Sequence, residues 1–257
     1  MTSSLQGKRV LVTRPKAQAE GFASRLREFG AIPLLLPAIE IQPLEDPSLL
    51  DNELRHLETF DWVVFTSVNG VAAVKERLQE LGISTEVLAA RKLAAIGPAT
   101  AESLESLCRA PDLMPDEYVA EAIGTALGDV AGLSFLLARA DIARPDLADL
   151  LKRGGAKVTE VAAYHIKAEG PAELEGLEEP DFITLTSSSA AKSTIDRLLA
   201  GGRGEWLIRA DIVCIGPITA DTVRGMGYKV AATAAEYTAE GLVQTLLQIA
   251  PQEASYV

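Results

Sequence analysis

Ile96-Gly97-Pro98-Ala99-Thr100-Ala101 returns 119 residues later (96 to 215) as Ile215-Gly216-Pro217-Ile218-Thr219-Ala220, with five of the six positions identical. Each copy follows a short apolar run, residues 92–95 or 212–214, and opens an amphipathic stretch that ends near Gly or Pro. The pattern reads as strand, tight turn, helix. Glycine leaves room for close approach, and proline takes the first helical position, where a missing N–H costs nothing. The next amides, of Ala99 and Thr100 or Ile218 and Thr219, are expected to point outward unpaired beside a hydroxyl. Such a helix start attracts carboxylate or phosphate. One copy would be read as a well-formed helix start and nothing more. Two near-identical copies favour a ligand role, because capping alone tolerates many sequences.

The repeat extends beyond this phrase. Glu117-Tyr118-Val119-Ala120-Glu121 returns as Glu236-Tyr237-Thr238-Ala239-Glu240, again 119 residues on (117 to 236). Phe65-Thr66-Ser67-Val68-Asn69 pairs with Leu185-Thr186-Ser187-Ser188-Ser189, 120 residues on (65 to 185). Val10-Leu11-Val12-Thr13-Arg14 pairs with Phe135-Leu136-Leu137-Ala138-Arg139, 125 residues on (10 to 135). Duplication of a unit of domain size accounts for motifs that recur in one order. The period is far longer than the roughly 20–50 residues of a solenoid repeat. Two similar domains are expected, and the repeat alone would place their boundary near residue 130.

Composition agrees. A chain of 257 residues, 48% hydrophobic, can bury two cores and is not disordered. A net charge of −12 argues against nucleic acid, whose recognition rests on basic surface. Cys108 and Cys214 have no metal-like spacing and fall at non-equivalent places in the repeat, so neither a disulfide framework nor a metal site is expected. A reducing, cytoplasmic setting fits. No apolar signal-peptide core of roughly 7–15 residues stands at the N-terminus. The most apolar run, residues 32–39, is broken by Pro33 and Pro37 and is too short to span a bilayer, so no membrane association is expected. His56 and His165 look isolated and are read as surface or packing residues.

Apolar patterning places strands near residues 8–13, 32–36, 61–65, 93–96, 133–138, 157–163, 181–185, 212–215 and 229–232. Helices alternate with them, at 16–29, 47–57, 71–81, 118–127, 145–153, 189–199 and 238–249, besides the two that the repeated phrase opens. Residues 37–43 and 164–168 read as extended. The fold class is therefore α/β, with parallel sheets covered on both faces. Ligands of such sheets bind outside the carboxyl ends of the strands. The candidate residues stand there: Arg14, Thr66, Ser67, Asn69, Gly97, Thr100, Arg139, Ser187, Ser188, Ser189, Gly216 and Thr219. Two sites built alike could then face each other across a cleft. Each feature has a plainer reading: the hydroxyl runs as helix caps, the arginines as surface ion pairs, Tyr118 and Tyr237 as packing. Tyr164 belongs to no repeat pair, since its counterpart at the 125 offset is Ile39. A tyrosine in a connecting segment is ordinarily half-buried packing, yet here it is where the halves differ chemically.

The set Val12-Thr13-Arg14-Pro15, Phe65-Thr66-Ser67-Val68-Asn69-Gly70-Val71, the two Gly-Pro-x-Thr-Ala phrases, Val161-Ala162-Ala163-Tyr164 and Thr184-Leu185-Thr186-Ser187-Ser188 resembles the uroporphyrinogen-III synthase family. The likeness runs in order from about Lys8 to Ala250. It implies two similar flavodoxin-like lobes, each a parallel sheet flanked by helices, joined by a two-stranded connector. One lobe would be discontinuous, residues 1–37 with 169–257, and the other 40–165, with connectors near 38–43 and 164–168. Duplication followed by exchange of the first βαβ unit gives this arrangement. The resemblance further implies cyclisation of hydroxymethylbilane, a linear tetrapyrrole, to uroporphyrinogen III, with loss of water and inversion of ring D. It implies Tyr164 as the group that helps the hydroxyl leave, and the strand-end residues as substrate-binding. No cofactor or metal is implied. The expected setting is a cytoplasmic monomer, with hydroxymethylbilane synthase as a transient upstream partner. Eight substrate carboxylates meeting an acidic protein require local neutral or basic donors, helped by salt screening beyond about 8 Å. A two-lobed polycarboxylate-binding protein without catalysis is the alternative that the same features allow.

Overall fold

A computed structural model describes residues 4–116, 120–170, 174 and 176–250. The chain begins with β1 (Arg9–Val12), α1 (Lys16–Glu28) and β2 (Ile32–Leu35). Helix α1 buries Ala19, Phe22, Ala23 and Leu26, the i, i+3, i+4, i+7 spacing of one helical face. It ends before Gly30, whose φ of +82° is a left-handed conformation that a side chain would disfavour. Next come β3 (Ile39–Gln42), α2 (Ser48–Arg55), β4 (Trp62–Phe65), α3 (Val68–Glu80), α4 (Thr85–Ala89), β5 (Lys92–Ala95), α5 (Pro98–Leu107) and α6 (Ala120–Leu127). A second βαβ follows in β6 (Ser134–Ala140), α7 (Asp146–Arg153) and β7 (Lys157–Ala168). The remainder is β8 (Phe182–Leu185), α8 (Ser188–Ala200), α9 (Trp206–Arg209), β9 (Asp211–Cys214), α10 (Pro217–Gly225), β10 (Ala232–Thr233) and α11 (Ala239–Ile249).

These strands form two five-stranded sheets, ordered β10-β9-β8-β1-β2 and β3-β7-β6-β4-β5. β1 runs parallel to β2 and β8, and β9 parallel to β8 and β10. In the other sheet β4 runs parallel to β5 and β6, and β6 parallel to β7. This is the expected α/β class. Taken in chain order, the first sheet has the 2-1-3-4-5 order of a doubly wound flavodoxin-like fold. Four strands of the second match it, with β6, β7, β4 and β5 in the places of β1, β2, β8 and β9, and β3 is added at the β7 edge. A parallel bridge from Ala94 to Leu113 stands where β10 stands in the first. The first βαβ of the chain thus sits in the sheet of the later strands.

The chain divides into two compact units, Met1–Glu40 with Lys167–Val257, and Ile41–Ile166. Within each, side chains alternate across the sheet as the strand period of two requires. Val10 and Val12 pack with α1 and α11, while Leu11 faces the opposite core with Ile183, Leu185 and the buried faces of α8 and α10. In the second unit Val63 and Phe65 pack with α2, α3 and Leu104 of α5, while Trp62 and Val64 meet α6 and α7. The seam from β1 to β8 carries a reciprocal brace. The Thr13 hydroxyl donates to the Thr184 carbonyl at 2.7 Å, and the Thr184 hydroxyl to the Leu11 carbonyl at 2.8 Å, both wholly buried.

Some element bounds differ from expectation. Helix α3 starts at Val68 rather than 71, because Ser67 supplies the cap and draws the next three residues into the first turn. The extended stretches are the strand β3 and the second half of β7. The short helices α4 and α9, of five and four residues, show too few turns for a periodic signal.

Candidate active site

In the second unit the carboxyl ends of β4 and β5 lead straight into helices. Ser67, extended at φ −163°, caps α3 by accepting the Gly70 amide at 3.1 Å. Its oxygen also lies 2.9 Å from the Tyr164 hydroxyl. Tyr164 comes from β7, is only 5% exposed and packs in the core that holds Phe65 and Val71. Burial raises the phenol pKa above its ordinary value of about 10, against the opposing pull of the Ser67 and Asn69 side chains. Tyr164 is therefore protonated at neutral pH. Either hydroxyl can donate in this pair; with Ser67 as the donor, the phenolic proton is left for another acceptor. Tyr164 and Asn69 line a pocket of about 220 Å³ whose other walls include Pro43, Leu44, Ala73 and Ala163. Thr66 stands beside them at the strand end, half-buried.

Gly97 caps α5, with Pro98 opening the helix. The Thr100 amide, expected free, donates to the Gly97 carbonyl at 3.1 Å, and Thr100 itself is buried. In the first unit Gly216 and Pro217 open α10 in the same way, and Thr219 is likewise buried. Tyr237 lies over Gly216: a Cβ there would stand 3.4 Å from its ring. Tyr118 falls outside the described residues.

Ser187 caps α8 through the Ala190 amide at 3.1 Å and lies 3.0 Å from the Ser189 hydroxyl. Ser188 accepts the Thr222 hydroxyl at 2.7 Å and points at the Ile218 carbonyl at 3.4 Å, so it ties α8 to α10. Thr222 was not among the sequence candidates, and its only sequence signal is its place four residues after Ile218. Arg14 follows β1, donates to Gln18 at 3.0 Å and lies 5.8 Å from the centre of the Phe22 ring. Its Nε is buried with no acceptor, and burial lowers its pKa.

Arg139, expected at a strand end like Arg14, is held within the protein. It lies inside β6, is 6% exposed, pairs with Glu160 and donates to the Arg144 carbonyl at 3.0 Å. A buried guanidinium needs a carboxylate partner, and this one already has it. His165 is not isolated either, since its Nδ1 lies 2.8 Å from Asp141. Among the described residues no group of three or more His, Cys, Asp or Glu could hold a metal, and no helix is long and apolar enough to cross a membrane.

Comparison with known proteins adds an independent line. The family model described as uroporphyrinogen-III synthase HemD matches residues 20–244. Uroporphyrinogen-III synthase of Synechococcus elongatus is 32% identical over 260 residues, covering 96% of this chain and 97% of its own. That of Escherichia coli is 26% identical over 228 residues, covering 86% and 92%. Among solved structures, a mutant uroporphyrinogen III synthase of Thermus thermophilus is similar with a TM-score of 0.70 at 20% identity, over 94% of this chain and 98% of that one. The Helicobacter pylori protein gives 0.58 at 21% identity, over 95% and 100%. At these identities the structural likeness speaks for the fold.

Proposed function

We propose the chemistry of this site from one premise: the chain belongs to the uroporphyrinogen-III synthase family. The reaction is the cyclisation of hydroxymethylbilane to uroporphyrinogen III, a hydro-lyase step in which water leaves ring A and ring D is inverted. Loss of the hydroxyl gives an azafulvene, and the electron-rich pyrroles drive much of that step. Attack by the substituted carbon of ring D gives a spiro intermediate, which fragments and recloses with the ring turned over. Without direction the bilane closes to isomer I, so the protein's task is chiefly positioning.

The observation that carries this reading is the protonated, buried Tyr164 held at 2.9 Å by Ser67 on the wall of a pocket that Asn69, Glu76, Arg77 and Glu80 line together with apolar side chains. Its proton assists the leaving hydroxyl, with transfer completed as the C–O bond breaks. The first-turn amides of α3, α5, α8 and α10 that no cap or turn carbonyl takes up are the natural donors to substrate carboxylates. Thr66, Ser67, Asn69, Gly97, Ser187, Ser189, Gly216 and Arg14 are assigned to that binding role. Ser188, Thr100 and Thr219 shape the same helix starts. Uncharged donors suit a substrate with eight carboxylates spread along a flexible chain. The reading carries with it a cytoplasmic monomer that receives its substrate from hydroxymethylbilane synthase.

Tyr164→Phe tests the assignment. A general acid predicts a fall in turnover on the order of 10²–10⁴. A loss of only severalfold would leave the tyrosine with a positioning role, and full activity would remove it from the mechanism. The activity itself is read by separating the isomers formed from fresh hydroxymethylbilane.

A further inference from the structure

Strand β6 stops pairing at the residue where β7 reaches Tyr164. The register runs Ala138 to Val161 and Arg139 to Ala162, then slips so that Ala140 lies opposite Tyr164, leaving Ala163 without a counterpart. Such a bulge bends a strand and re-aims its side chains. Beyond Ala140 there is no further β6 to hold residues 164–166 on that side. Asp141 takes over. Its amide donates to the Tyr164 carbonyl at 3.1 Å. One carboxylate oxygen accepts the Ile166 amide at 3.1 Å, and the other lies 2.8 Å from His165 Nδ1. Three consecutive residues of β7 are thereby fixed by one residue, with Tyr164 among them.

The duplicated half has no such arrangement. At the 125 offset that relates β6 to β1, Asp141 corresponds to Lys16 and Tyr164 to Ile39. β1 ends at Val12 with Pro15 close behind, at the place where β6 still pairs through Ala140. Pro15 has no N–H to donate and could not extend the ladder. The longer strand, the aspartate and the tyrosine therefore occur together in one half and are absent together from the other.

We infer that Asp141 is a positioning residue for Tyr164, holding the bulged end of β7 so that the phenol meets Ser67 and faces the adjoining pocket. The inference rests on the proposed role of Tyr164. Asp141 is partly exposed, its side chain 30% accessible. Burial alone would push its pKa up, but the His165 and Ile166 hydrogen bonds outweigh that and hold the carboxyl below its ordinary range. It is thus the ionised acceptor that the clamp needs.

The test is a mutant cycle on the full chain, using Asp141→Ala, Asp141→Asn and Tyr164→Phe alone and combined, with hydroxymethylbilane as substrate. Asp141→Ala should lower kcat by about 10²-fold, the scale of a misplaced catalytic geometry, with KM changed less than about threefold. Asp141→Asn keeps an oxygen for the Ile166 amide and should recover part of the rate. Both effects should vanish in the Tyr164→Phe background. An Asp141→Ala loss of the same factor with and without the phenol would overturn the inference, as would a change confined to KM. Should Asp141→Ala fail to fold, Asp141→Asn is read in the same cycle against the same criteria. A second readout separates this inference from the functional one. The ultraviolet ionisation of Tyr164, taken as the difference from Tyr164→Phe, should move to lower pH in Asp141→Ala, and by more than in Asp141→Asn, where the charge is lost but the Ile166 amide keeps its acceptor. Equal or absent shifts refute the positioning role even if the wild-type protein makes no isomer III, a result that would refute the proposed function by itself.

Discussion

Ser67 and Ser187 are repeat partners with the same capping bond, 3.1 Å from the amide three residues on, and only Ser67 also meets a buried phenol. The pair is its own control. Ser187→Ala should cost about 1 kcal/mol, the typical worth of an N-cap. Ser67→Ala should cost that amount plus about 1–2 kcal/mol for a phenol deprived of a partner at 5% exposure, hence about 2–3 kcal/mol in all. The Asn69 side chain keeps the second term from being larger. The molecule supplies the reporters, because its two tryptophans fall one in each unit, Trp62 in β4 and Trp206 in α9. Urea unfolding in a Trp206→Phe background follows the unit of Ser67, and in Trp62→Phe the unit of Ser187, with free energies from linear extrapolation. Turnover should fall in Ser67→Ala, whose phenol is no longer oriented, while Ser187→Ala should act mainly on KM. Equal stability losses, or a larger loss in Ser187→Ala, would refute the claim that the Ser67–Tyr164 contact carries energy of its own.

Gly216 has φ −165°, open to any residue, and an added Cβ would make ordinary contact with Tyr237. Gly216→Ala should leave stability unchanged or raise it by up to about 1 kcal/mol, while KM for the bilane rises; early unfolding would make the glycine structural. The Tyr164 pKa is raised in the folded state, so its contribution to stability is complete below about pH 10 and is lost as pH rises through the folded value. Turnover should therefore show no phenol-dependent loss below about pH 10, and the alkaline loss of stability should be smaller in Tyr164→Phe than in the wild type, both read from pH profiles. Asp51 holds Arg77 in a two-pronged pair at 2.8 and 2.7 Å, with both side chains largely buried. Asp51→Ala should cost about 3 kcal/mol, the lower end for a broken buried pair because Glu80 still reaches Arg77; calorimetry measures it.

What the sequence discloses here is what repeats or what is local. The Gly-Pro phrases are helix starts because proline and glycine act on their own backbone, and Ser67 and Ser187 are caps because a cap bonds three residues ahead. The alternation that marks the strands also sorts Val10 and Val12 from Leu11 onto opposite cores. Pairing across distance is another matter. The repeat by itself marks a boundary near residue 130, yet β1 and β2 lie in one sheet with β8, β9 and β10. Two similar copies of a βαβ fit either sheet equally well in sequence terms. Arg139 looks like a strand-end cation until β7 brings Glu160 beside it, 21 residues away in the chain. Asp141 carries no motif, and its meaning comes from a register slip that only the paired strands reveal.

The most direct measurement is the isomer composition of the product. Fresh hydroxymethylbilane is incubated with the purified chain, the products are oxidised to porphyrins, and isomers I and III are separated. The account predicts that isomer III predominates and that its share rises with protein concentration at the expense of isomer I. Isomer I alone, in the yield found with no protein present, would contradict it.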